Sequence, residues 1–60
     1  MSIRILIIDD IPQTRENLRK LLSLEPDMEI VGMAATGEEG VELTRKLRPD
    51  IVLMHINLPG

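Results

Sequence analysis

The chain contains no cysteine and no phenylalanine, tyrosine or tryptophan. Without thiols there is no disulfide framework and no thiolate metal site, and nothing points to an oxidising compartment. Without aromatic rings there is no stacking platform for bases, and the core must be aliphatic. A surplus of positive charge is missing too. Seven Lys and Arg are spread among ten Asp and Glu, giving a net charge of −3 and a pI near 4.9. That balance argues against a nucleic-acid surface. No apolar run approaches the ~18 residues of a membrane span, and no charged segment precedes a hydrophobic signal core. The expectation is a soluble, cytoplasmic chain with neither nucleic acid nor membrane as partner. Sixty residues make one domain at most, spanning 1–60. A chain of that size buries only about 60% of its unfolded surface and is marginal without a metal or a second copy.

What is present begins with Ile3-Arg4-Ile5-Leu6-Ile7-Ile8-Asp9-Asp10. Its unbroken aliphatic run reads as a strand buried on both faces, not as a half-solvated, alternating one. Two carboxylates follow where such a strand leaves the sheet. Ligands of open parallel sheets bind outside the carboxyl ends of the strands. Adjacent acids there serve as hard oxygen ligands for a divalent cation such as magnesium. A plainer reading stands beside it, in which Asp10 caps the helix starting near Pro12 and Asp9 is a solvated turn residue.

Pro12 suits the first turn of a helix, where its missing N–H is no loss. Ile11, Leu18, Leu21 and Leu22 recur at helical spacing, with Arg15, Arg19 and the Glu16/Lys20 pair towards the other side. Glu25-Pro26-Asp27 stops this helix. Met28 to Ala35 reads as a second strand, with Gly32 its weak point. Thr36-Gly37-Glu38-Glu39 is a capping box that opens a second helix through about Leu47. Gly40 lies inside that helix at a cost of roughly 1 kcal/mol against alanine, a cost that close backbone approach could justify. Arg48-Pro49-Asp50 ends the helix. Ile51-Val52-Leu53-Met54 is expected to be a third buried strand closed by His55, and residues 56–60 read as a turn-like exit.

The resulting order is β-α-β-α-β, an α/β pattern with two crossover helices between parallel strands. With right-handed crossovers, and if the first strand lies between the other two, the order is 2-1-3 with the helices on opposite faces. Strands one and three then end side by side at the topological switch point, and Asp9, Asp10 and His55 converge.

Taken together, Ile5-Leu6-Ile7-Ile8-Asp9-Asp10, Arg15-Glu16-Asn17-Leu18-Arg19-Lys20-Leu21-Leu22, Ala35-Thr36-Gly37-Glu38-Glu39 and Pro49-Asp50-Ile51-Val52-Leu53-Met54 resemble the first half of a response-regulator receiver domain. They also resemble the receiver-like segments that precede some pilus-assembly ATPases. The likeness runs along the whole chain and implies a flavodoxin-like half-domain acting in two-component phosphorelay signalling. By that resemblance Asp9 and Asp10 hold Mg2+, and the backbone carbonyl of Asn57 completes the metal site. An aspartate ending the third strand takes a phosphoryl group from a histidine kinase, the expected partner. The following turn ends in Pro-Gly, as Leu58-Pro59-Gly60 does here.

Two departures accompany the likeness. The phosphoacceptor-equivalent position is His55, and acyl-phosphate chemistry needs a carboxylate nucleophile there. The chain also stops where a receiver would be half finished, before the strands that supply the family's hydroxyl residue and lysine. Its third strand would be an apolar edge, which invites pairing with a second copy. The leading expectation is therefore an atypical, truncated receiver, not an enzyme. It is not phosphorylatable at the usual position and acts as a self-associating protein-interaction module. One alternative is a metal-binding homodimer using Asp9, Asp10 and His55. Two carboxylates and an imidazole suit zinc, manganese, nickel or iron better than magnesium. Another is a non-functional fragment or engineered variant of a longer receiver. A phosphohistidine relay at His55 ranks last, because nothing around it resembles the helical presentation such relays use.

Overall fold

The structure is a computed structural model and describes residues 1–56, so Asn57 and the Leu58-Pro59-Gly60 exit lie outside the described residues. The elements run β1 (Ile3–Asp9), α1 (Pro12–Ser23), β2 (Met28–Ala34), α2 (Gly37–Leu47) and β3 (Ile51–His55). The three strands form one parallel sheet in the order β2-β1-β3, the order expected with the first strand in the middle. Central β1 carries the core: Ile5, Leu6, Ile7, Ile8 and Asp9 are all buried. Successive side chains of a strand point to opposite faces, so a run this aliphatic needs cover on both sides.

That cover comes from the two helices, each packed against β1 and β2. Leu6 and Ile8 form a buried cluster with Ala34, against which Leu43 of α2 and Ile56 pack. Ile5 and Ile7 face the other way. Two glycines allow α2 to settle closely on its side of the sheet. A Cβ at Gly32 would lie 2.8 Å from Leu47 Cδ1, and one at Gly40 would overlap the Ile8 side chain, 2.9 Å from its Cγ1. Close approach is thus the physical reason for a glycine inside a helix. At Gly32 the pairing of β1 with β2 also shifts register, passing from Ile5–Ile30 to Leu6–Gly32 and skipping Val31.

The second helix starts as its sequence suggests. Thr36 is the N-cap, and its Oγ1 accepts a hydrogen bond from the Glu39 N–H at 3.1 Å. The return bond differs by one residue, since Glu39 Oε1 accepts from the N–H of Ala35 at 2.8 Å. At the far end Arg48 takes a left-handed conformation, φ 48°, and donates its N–H to Thr44 O. The start of β3 is then tied to β1, because Arg4 N–H donates to Asp50 Oδ2 and Asp50 N–H donates to Arg4 O, both at 2.8 Å.

Three expectations about packing need correction. The third strand is not buried: Ile51 and Val52 are about two-fifths exposed and Met54 is 60% exposed. Both helices sit mainly over β1 and β2, so β3 is only thinly covered, Leu53 alone being half-buried, and among the described residues no strand pairs along its outer edge. In α1 the inward stripe is Thr14, Arg15, Leu18 and Leu22, whereas Leu21 is 63% exposed. Lastly, Glu16 is held by Arg19 at i+3, not by Lys20 at i+4.

Candidate metal and phosphoacceptor site

The site forms where β1 and β3 end together. Parallel pairing sets Asp9 directly opposite His55, so strand register alone brings the acid and the imidazole side by side. Asp9 is completely buried. Its Oδ1 accepts a hydrogen bond from the Ile11 N–H at 2.9 Å, closing the turn that leads into α1. Ile11 is the N-cap of that helix and Pro12 follows at its first position, with no side chain capping it. The plainer reading of the acid pair is therefore wrong in both parts. Asp10 is not the cap, and Asp9 is a buried structural residue of the turn, not a solvated one.

The second oxygen of Asp9 is the unusual atom. Oδ2 is buried, accepts no hydrogen bond, and lies 3.5 Å from Nδ1 of His55. A buried carboxylate oxygen left without a donor costs free energy unless a charge faces it. His55 itself is mostly open to solvent, its side chain 59% exposed. Asp10 joins the pair: Asp9, Asp10 and His55 each place one donor atom within 4.8 Å of the others. The positive end of α1 begins immediately after the acids, which favours negative charge at this spot.

The structure thus brings three of the four site residues read from the sequence to one point. The fourth, Asn57, lies outside the described residues. One residue of the site was assigned to the wrong side of its helix. Arg15 is half-buried on the inward stripe of α1, and its Nη1 donates to the Asp9 carbonyl at 2.8 Å. It fixes the backbone that carries the acid pair. Its spacing from Ile11, Leu18 and Leu22 was the available signal, because the four together make one i, i+4, i+7, i+11 face.

Chemically, the arrangement can hold a cation between fixed carboxylates and one imidazole. A magnesium ion demands near-octahedral oxygen coordination. The unpaired Asp9 oxygen suits it, but the nitrogen of His55 stands where a further hard oxygen would be wanted. No carboxylate is present at position 55 to accept a phosphoryl group. Among the described residues, no helix is long and apolar enough to cross a membrane.

Comparison with known proteins agrees with this geometry. The chain is 46% identical over 56 residues to the nitrate/nitrite response regulator protein NarL of Escherichia coli, covering 93% of this chain and 26% of that protein. It is 46% identical over 58 residues to the transcriptional regulatory protein DegU of Brevibacillus brevis, covering 97% of this chain and 25% of DegU. It is 47% identical over 58 residues to a protein-glutamate methylesterase/protein-glutamine glutaminase of Myxococcus xanthus, covering 16% of that enzyme. The chain therefore spans about a quarter or less of the length of these curated relatives. The response regulator receiver domain model matches residues 5–60, and the chain belongs to that family.

Proposed function

We propose that this chain is an atypical receiver of two-component phosphorelay signalling that works by protein contact, not by aspartyl phosphorylation at position 55. The observation that carries the reading is His55. It ends β3 opposite Asp9, the place where the family resemblance calls for the phosphoaccepting aspartate. An imidazole cannot form the acyl phosphate that couples a receiver to its kinase. The module is cytoplasmic and non-enzymatic, and any histidine kinase that meets it docks without transferring a phosphoryl group to this position. Its contact surface is β3, which exposes Ile51, Val52 and Met54 and, among the described residues, has no strand paired along its outer edge. A second copy pairing there about a two-fold axis gives a homodimer.

The test is exposure of the chain to a small phosphodonor with magnesium, followed by intact mass measurement. The expected result is no hydroxylamine-labile mass gain. A stoichiometric gain of one phosphoryl group that hydroxylamine removes would contradict the reading.

A second reading has its own support. The buried Oδ2 of Asp9, which accepts no hydrogen bond, favours an ion-binding role for Asp9, Asp10 and His55, one that survives the loss of phosphoryl chemistry.

A further inference from the structure

The donor set at the end of β1 and β3 does not match the ion that receivers are expected to hold, and the mismatch has a direction. We infer that Asp9, Asp10 and His55 form a site selective for a zinc-class divalent transition metal over magnesium. The inference deepens the ion-binding reading above and depends on it.

Three observations combine. The first is chemical. Imidazole nitrogen is a borderline donor that zinc, cobalt and nickel accept readily, whereas magnesium prefers oxygen and parts with water reluctantly. Replacing a carboxylate by His55 therefore moves the preference of the whole set towards transition metals. The second is the buried Asp9 side chain, whose Oδ2 accepts no hydrogen bond and faces into the cluster. Such an atom gains more from a cation than an exposed carboxylate does, since its desolvation is already incurred in the fold.

The third is distance. Asp9 Oδ2 and His55 Nδ1 are 3.5 Å apart, longer than a good hydrogen bond between them. Two donors each ~2.0–2.1 Å from a tetrahedral zinc lie roughly 3.3–3.4 Å apart. Neighbouring donors on an octahedral magnesium at ~2.1 Å lie roughly 2.9–3.0 Å apart. The observed spacing is the one a tetrahedral ion requires with little rearrangement. Asp10 places one ligand atom within 4.8 Å of a ligand atom from each of the other two residues and would supply the third ligand. Three protein ligands would leave a further position for water, the pattern of open zinc sites. Asp9 is the anchor: its other oxygen is held by the Ile11 N–H and its carbonyl by Arg15, so the ligand is oriented before any metal arrives.

Cobalt(II) is the probe, because its visible absorption reports coordination number directly. Cobalt is titrated into the full chain, then zinc and magnesium are added in competition. The expected result is one cobalt per chain with the intense bands of four-coordination, displaced by stoichiometric zinc but not by a hundredfold excess of magnesium. His55→Ala should weaken cobalt and zinc binding at least 10- to 100-fold while changing magnesium affinity less than about threefold. His55 is exposed, so its loss leaves the core intact, and circular dichroism in chelator checks that the variant folds. Asp9→Asn should abolish binding of every cation. Magnesium displacing cobalt at comparable concentration, or cobalt binding unchanged in His55→Ala, overturns the metal selectivity and leaves the ion-binding reading standing. Absence of binding by all three ions overturns both.

Discussion

At the scale of single residues, Asp9 has two opposed roles on one carboxylate. Oδ1 stabilises the turn into α1 by accepting the Ile11 N–H, while Oδ2 is a buried charge without a hydrogen-bond donor. Asp9→Asn keeps the acceptor and removes the charge. In chelator it should raise stability by about 1 kcal/mol, a shift of roughly 4–8 °C in Tm for a domain this small. The same variant should lose all stabilisation by added cations. Thermal unfolding with and without metal checks both, and a lowered Tm in chelator would show that the buried charge is already compensated. Glu16 gives a milder case on the surface. Its carboxyl is held below the ordinary 4.5 first by the hydrogen bond from Arg19, then by the nearby positive charges of Arg19, Lys20 and Arg15. A lowered folded value means that the pair's contribution is present above the unfolded carboxylate value and fades as pH falls through the folded one. Both side chains are about two-fifths exposed, so the effect on stability is slight. Arg19→Gln should return the Glu16 midpoint upward towards 4.5 in an NMR titration, and an unmoved midpoint would rule out the hydrogen bond as the main cause.

At the scale of elements, the close seat of α2 on β1 is the most specific contact in the fold. Gly40→Ala should gain up to about 1 kcal/mol of helix propensity but force the Ile8 side chain aside, for a net loss of roughly 1–3 kcal/mol. Ile8→Val in the same chain should recover part of that loss. Additive effects in a denaturant double-mutant cycle would show that the two residues do not meet. Much of this level was legible in the residues. The aliphatic run through Ile8, the Pro12 start, the Thr36–Glu39 box and the Arg48–Pro49 stop each carry a local cause, and placing the most aliphatic strand in the middle gives the strand order. What escaped reading depends on which element lies over which. Gly40 has a reason only once Ile8 is known to face it. Arg15 groups with Arg19 and the Glu16/Lys20 pair away from the apolar stripe, yet its long side chain reaches the Asp9 carbonyl. Ile51 to Met54 looks like a buried strand by composition, but both helices settle mainly on β1 and β2 and leave it thinly covered. For the site, register alone accounts for the meeting of Asp9 and His55. The orphaned oxygen of Asp9 needed coordinates.

At the scale of the whole molecule, the radius of gyration is 11.3 Å, against about 10.4 Å for a compact domain of this length. A groove of about 380 Å³ runs along β3, lined by Ile8, Val41, Thr44, Val52 and Met54 among others. Met33, Val41, Ile51, Val52 and Met54 all expose apolar surface. Under the proposed reading, this exposed apolar strand is the surface through which a second copy would bind. The most direct measurement is the molar mass in solution, by light scattering on a size-exclusion column across a dilution series. The account predicts a particle of twice the 6.8 kDa chain mass, reduced to the single-chain mass by Val52→Lys with Met54→Lys. A wild-type chain that runs at its single mass at every concentration, with β3 still exposed, would contradict it.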